Sequence, residues 1–107
     1  MEWGKGICII ENRKYEGEIV LDTKLYLKDK EGNEIYETLI PLEKIEYMKL
    51  HRNKLELRVF PSFISSYTAF IFLNRKKLKK LAKTISERTG MKKKFLLNEW
   101  HGDIYLR

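Results

Sequence analysis

One run of residues limits the possible folds more than any other. From Lys5 to Thr89, short alternating segments follow one another, and the last, Tyr67 to Leu73, leads directly into a basic amphipathic stretch. Apolar residues at every second position mark half-buried strands, and apolar residues three and four apart mark a helix. A series of hairpin-linked strands closed by one helix must bury its apolar strand faces against each other and against that helix. The expected class is mainly β, or α+β by content.

Gly6 to Glu11 carries Ile7, Cys8, Ile9 and Ile10, a strand apolar on both faces. Asn12-Arg13-Lys14 is a turn. Tyr15, Gly17, Ile19 and Leu21 alternate with Glu16, Glu18 and Asp22, and Leu25 and Leu27 repeat the pattern after a tight link at Asp22-Thr23. Asp29 to Glu34 reads as a hairpin loop and Ile35 to Ile40 as the returning strand. Pro41 cannot donate to a ladder, so the chain should leave the sheet there, make about one turn and re-enter near Ile45. Ile45 to Leu50 is the next strand, and His51-Arg52-Asn53 turns into Leu55, Leu57 and Val59, the cleanest alternation present. Pro61 to Ser66 is a loop. Tyr67 to Leu73 puts Phe70 and Phe72 on one face, Ala69 and Ile71 on the other. Asn74 caps a helix whose Leu78, Leu81, Ala82 and Ile85 share a face, and Gly90 ends it.

The 107 residues fit one domain, 1–90, with a C-terminal extension, 91–107. That extension is too apolar for a free tail. It should pack on the domain or on a neighbouring subunit, as a strand pair turning at His101-Gly102-Asp103. No apolar run is long enough to cross a membrane, and Met1 to Lys5 lacks the start of a secretory signal, so a cytoplasmic location is the expectation. Cys8 is the only cysteine and excludes an internal disulfide; set between isoleucines, it suits a small core residue better than a nucleophile. The net charge of +7 attracts phosphates, whether of nucleic acid, anionic lipid or an acidic protein.

Two runs sharpen the fold. Gly17-Glu18-Ile19-Val20-Leu21-Asp22-Thr23-Lys24-Leu25-Tyr26-Leu27 resembles the second and third strands of GRAM-type and bacterial PH-like domains, and Thr38-Leu39-Ile40-Pro41-Leu42-Glu43-Lys44-Ile45-Glu46 resembles the segment entering their fifth strand. The resemblance to the pleckstrin-homology superfold spans Lys5 to Thr89. It implies a bent antiparallel sandwich or barrel of about seven strands capped by one C-terminal helix, with the extension added. It also implies a module that binds lipid headgroups, peptides or partner domains without catalysis. Phosphoinositide-binding members resemble one another in alternating basic residues on the second strand. Here Glu16 and Glu18 follow Lys14, which argues against specific phosphoinositide recognition.

Two surfaces are candidates. Arg75, Lys76, Lys77, Lys79, Lys80 and Lys83 crowd the N-terminal half of the helix, where the macrodipole favours acids, and each like-charged pair three or four apart costs a few tenths of a kcal/mol. With Lys92, Lys93 and Lys94 they could bind an anionic membrane surface or nucleic acid; the bland alternative is a solvated face paired with acids elsewhere in the fold. Stacking on nucleic acid bases would need exposed aromatics, with Tyr26, Tyr36, Phe60, Phe63 and Tyr67 available. The second surface is a protein-partner or self-association interface: Phe63 and Ile64 in the loop, and Phe95, Leu96, Leu97, Trp100, Ile104, Tyr105 and Leu106 in the extension. Phe63 and Ile64 are expected to fold back and close the core, the usual fate of such residues. Glu99, His101 and Asp103, with His51, could bind a metal, but Gly102 indicates a turn instead, so neither metal nor cofactor is expected. No nucleophile-and-base arrangement is visible. The reading is a non-enzymatic binding or scaffolding module acting through protein interaction, or alternatively through the basic helix on an anionic partner.

Overall fold

The protein, described over residues 1–94 and 97–103 by a computed structural model, places nine strands in one antiparallel sheet among those residues. In chain order they are β1 (Glu2–Ile10), β2 (Arg13–Leu21), β3 (Lys24–Lys28), β4 (Ile40–Pro41), β5 (Ile45–Leu50), β6 (Lys54–Ser62) and β7 (Ser65–Phe72), then helix α1 (Arg75–Thr89), then β8 (Lys92–Lys94) and β9 (Glu99–His101). The order across the sheet is β4-β3-β2-β1-β7-β6-β5-β9-β8. The sheet is open at β4 and β8, where a closed barrel was one of the expected alternatives; the expected seven strands precede the helix, and the extension adds β8 and β9.

The alternating residues point where their spacing requires. Leu55, Leu57 and Val59 of β6 and Ala69 and Ile71 of β7 are buried, and Ile19, Leu21, Leu25 and Leu27 continue the same inner face. α1 lies against β5, β6 and the turn before β5, and buries Leu78, Leu81, Ala82 and Ile85 completely. Asn74 Oδ1 accepts the Lys77 backbone N–H at 2.9 Å, and Gly90 ends the helix with φ at 75°, the left-handed conformation that glycine adopts without a Cβ penalty.

Gly6 and Gly17 face each other across the β1–β2 ladder, where neighbouring backbone crowds both positions. A Cβ on Gly17 would run into the backbone oxygen of Lys28, and one on Gly6 would sit 2.7 Å from the backbone oxygen of Phe72. Pro41 closes β4, a single 3-10 turn over Leu42–Lys44 follows, and β5 begins at Ile45, the expected break and re-entry.

Three expectations are corrected. Ile35 to Ile40 is not a continuous strand: after a bridge of Glu34 to Lys28 and one backbone bond from Ile35 to Leu27, a 3-10 turn occupies Tyr36–Thr38, and pairing with β3 resumes at Ile40–Pro41. Thr38, buried, is the cause. Its Oγ1 donates to the Ile35 carbonyl at 2.7 Å and accepts the Leu27 backbone N–H at 2.9 Å, so a side chain takes the ladder's place. Pro61 to Ser66 is not a loop, because β6 and β7 run on to a turn of only Phe63 and Ile64. The extension forms the expected strand pair, but its reversal lies between Lys94 and Glu99, with Asn98 at φ 51°, and not at His101 to Asp103. Here β9 pairs with β5, placing Trp100 opposite Met48, and this registers the extension on the domain's own sheet.

Candidate binding surfaces

The β6–β7 hairpin projects beyond its neighbours. On one side, the pairing of β5 with β6 ends at Ile45 opposite Val59; on the other, the pairing of β1 with β7 ends at Ile10 opposite Ala69. At its tip Phe63 is 90% and Ile64 97% exposed, and this overturns the expectation that they close the core. Two-residue hairpin turns favour positive φ, usually through Asn or Gly, because only then does the turn match the strand twist. The β1–β2 turn obeys, with Glu11 at φ 50° and Asn12 at φ 67°. Phe63 and Ile64 have no positive φ, and a register shift between Val59 and Ser62 absorbs the mismatch. The Ser62 and Ser65 hydroxyls meet at 2.8 Å across the base of the turn. Turn chemistry therefore explains neither apolar residue. Pro61 lacks an N–H, which blunts the arm against strand addition and leaves side chains as its means of contact.

The second surface is α1. At about 100° per residue, Lys76, Lys79, Lys80 and Lys83 fall within an arc of about 100°, opposite the buried face. All four are exposed, and among the described residues none has a carboxylate within ion-pair distance. The acids that do pair, Glu2, Glu16, Glu34 and Glu99 among them, hold lysines of the sheet. The remaining cations of this group are placed differently. Arg75 donates to the His51 carbonyl at 2.7 Å, and the Lys77 amine lies over Gly4.

Lys92, Lys93 and Lys94 constitute β8, the open edge of the sheet, where lysines discourage pairing with another chain. Lys93 Nζ stands 5.4 Å from the centre of the Trp100 ring. Trp100, an interface candidate, is 7% exposed and belongs to the core cluster; Leu97 is exposed. Phe95, Leu96, Ile104, Tyr105 and Leu106 lie outside the described residues. Of the aromatics suited to stacking, Tyr26 is core, whereas Tyr36 and Phe63 are exposed and neither belongs to α1. His51 pairs with Glu56 at 2.8 Å and His101 with Glu99 at 3.0 Å, and among the described residues no three metal-ligating side chains gather.

A cleft of about 870 Å³ opens beside Gly6 and Gly17, with Ile7, Phe72 and Leu73 on its walls. Lys5 and Lys30 face Glu16, Asp29 and Glu31 around it, so its charge does not select anions. Cys8, on β1 opposite Ile71 of β7, is sealed in the core at 1% exposure, and burial pushes its thiol up to about 12 from an ordinary 9.0. Iodoacetamide at a pH near 8.5 is therefore expected to leave Cys8 unmodified in the native protein and to alkylate it fully in guanidinium, as read by intact mass. Because the folded state holds this proton where the unfolded chain releases it, stability should fall as pH rises from about 9 towards about 12. Rapid native alkylation would contradict the packing.

Fold and surfaces together define, among the described residues, a mainly β domain, an open antiparallel sheet carrying helix α1, with an apolar arm and a lysine stripe on separate elements. No family model, curated protein or solved structure matches the chain. Among the described residues no helix is long and apolar enough to cross a membrane.

Proposed function

We propose that this chain is a non-enzymatic, PH-like binding module whose working surface is the β6–β7 arm, and that it acts by protein contact. The observation that carries the reading is the exposure of Phe63 and Ile64 at the end of a projecting hairpin whose turn would be better built from other residues. Adjacent large apolar side chains presented to water at a hairpin tip suit insertion into a recess on a partner, where a few anchors supply most of the binding energy. The PH-like part of the reading is supported by the two sequence runs above and by the order β4-β3-β2-β1-β7-β6-β5 followed by a helix. The sealed, protonated Cys8 supports a role without thiol chemistry.

The double substitution Phe63→Ser, Ile64→Ser removes the anchors from positions that bury nothing. Its thermal midpoint is expected to match the parent, because exposed substitutions change stability by only about 0.5 kcal/mol. Its protein association, scored by sedimentation for a second copy and by co-purification for another protein, should be lost. Association that survives the substitution sinks this reading.

A further inference from the structure

We propose that the outer face of α1 binds the sugar–phosphate backbone of duplex nucleic acid without sequence preference, as a surface distinct from the arm. Four lysines, Lys76, Lys79, Lys80 and Lys83, form one exposed stripe, and among the described residues no carboxylate lies within ion-pair distance of them; Glu87, exposed one turn beyond Lys83, is the one acid on the same face. The stripe faces its own repulsion and the unfavourable end of the helix field, since the first turn contains no acid. An anionic partner removes both penalties.

The partner's kind follows from what the face lacks. A helix that lies in a membrane interface needs an apolar side to bury among the acyl chains, and that side of α1, Leu78, Leu81, Ala82 and Ile85, is spent on the core. Charge alone remains, and charge alone serves best against a dense polyanion. Lys76 to Lys83 spans about 11 Å at 1.5 Å per residue, a length over which duplex DNA presents about six phosphate charges. Lysine is a point charge without the planar fork that reads base edges, so the contact is to backbone.

The full chain is titrated against a fluorescent duplex of about two helical turns and scrambled sequence, at ~50 and ~200 mM salt. Neutralising four phosphates gives a slope of log K against log salt of about −3.6, a loss of about 150-fold in affinity across that range. Replacing Lys76, Lys79, Lys80 and Lys83 with Gln should bring the slope close to zero with the thermal midpoint retained. Replacing all four with Arg should keep the slope, and Lys92→Gln, Lys93→Gln, Lys94→Gln should leave it near −3.6. Phe63→Ser, Ile64→Ser should also bind the duplex normally, so failure of the arm and failure of the stripe are distinguishable. The proposal is overturned if the Gln variant keeps the parent slope, or if the parent shows no duplex binding at low salt. Tighter binding to phosphatidylcholine vesicles containing about one-third phosphatidylserine than to the duplex, lost in the same Gln variant, would assign the stripe to membranes and also overturn it.

Discussion

Leu81→Ala is expected to lower the unfolding free energy by about 2–5 kcal/mol, the usual cost of emptying a leucine site in a packed interior. Leu81 has no exposed surface and sits with Leu78, Ala82 and Ile85 on the face of α1 that covers β5 and β6. The helix is the only one of its length among the described residues, so nothing else replaces that cover over the inner face of the sheet. Removing the side chain loses its transfer free energy and leaves a cavity that a sheet on one side and a capped helix on the other can only partly close. Guanidinium unfolding followed by tryptophan emission measures it, with Trp100 in the same core cluster. A change under about 1 kcal/mol would mean that α1 does not pack as described.

The second large effect is expected at Gly17. Gly17→Ala should destabilise by about 1–3 kcal/mol, in the range of overpacked sites, although alanine is ordinarily preferred to glycine within a strand. The obstacle is backbone: the new methyl meets the Lys28 carbonyl oxygen on β3 and cannot be relieved by turning a side chain. The β2–β3 ladder, with Glu18 opposite Lys28, must shift to admit it. Amide exchange of β3 should accelerate along with the loss of stability, whereas β6 and β7 should change only through the global equilibrium. A neutral or stabilising result would show that the Lys28 backbone does not approach Gly17 as closely as described.

Gly17, Pro41, Asn74 and Gly90 were legible in the sequence because each answers a local backbone demand: close approach, ladder interruption, a helix cap, a left-handed stop. The alternation of Leu55, Leu57 and Val59 fixed which face of β6 is buried for the same reason. What escaped is non-local or runs against the common pattern. Thr38 replaces ladder bonds with its hydroxyl, an arrangement that depends on Leu27 lying opposite and has no signature in Ile35 to Ile40. Glycine's turn preference points to a reversal of the extension at His101-Gly102-Asp103, whereas the β5 edge sets the register by pairing Met48 with Trp100. Phe63 and Ile64 were expected inside because apolar residues usually are; their exposure depends on β6 and β7 outrunning β5 and β1, a difference of strand lengths in space. The lysines of α1 were visible as a helix-face pattern, but their lack of carboxylate partners became apparent only once the sheet showed where the acids lie.

Site-specific photo-crosslinking from position 63 in cells tests the central claim most directly, with the same probe at exposed Lys30 on the β3–β4 connection as the control. A benzophenone in place of Phe63 should give a discrete protein adduct, to another copy of the chain or to a second protein, that the Lys30 probe does not give. No adduct from position 63, or the same adducts from both positions, would contradict a module that works through its projecting apolar arm.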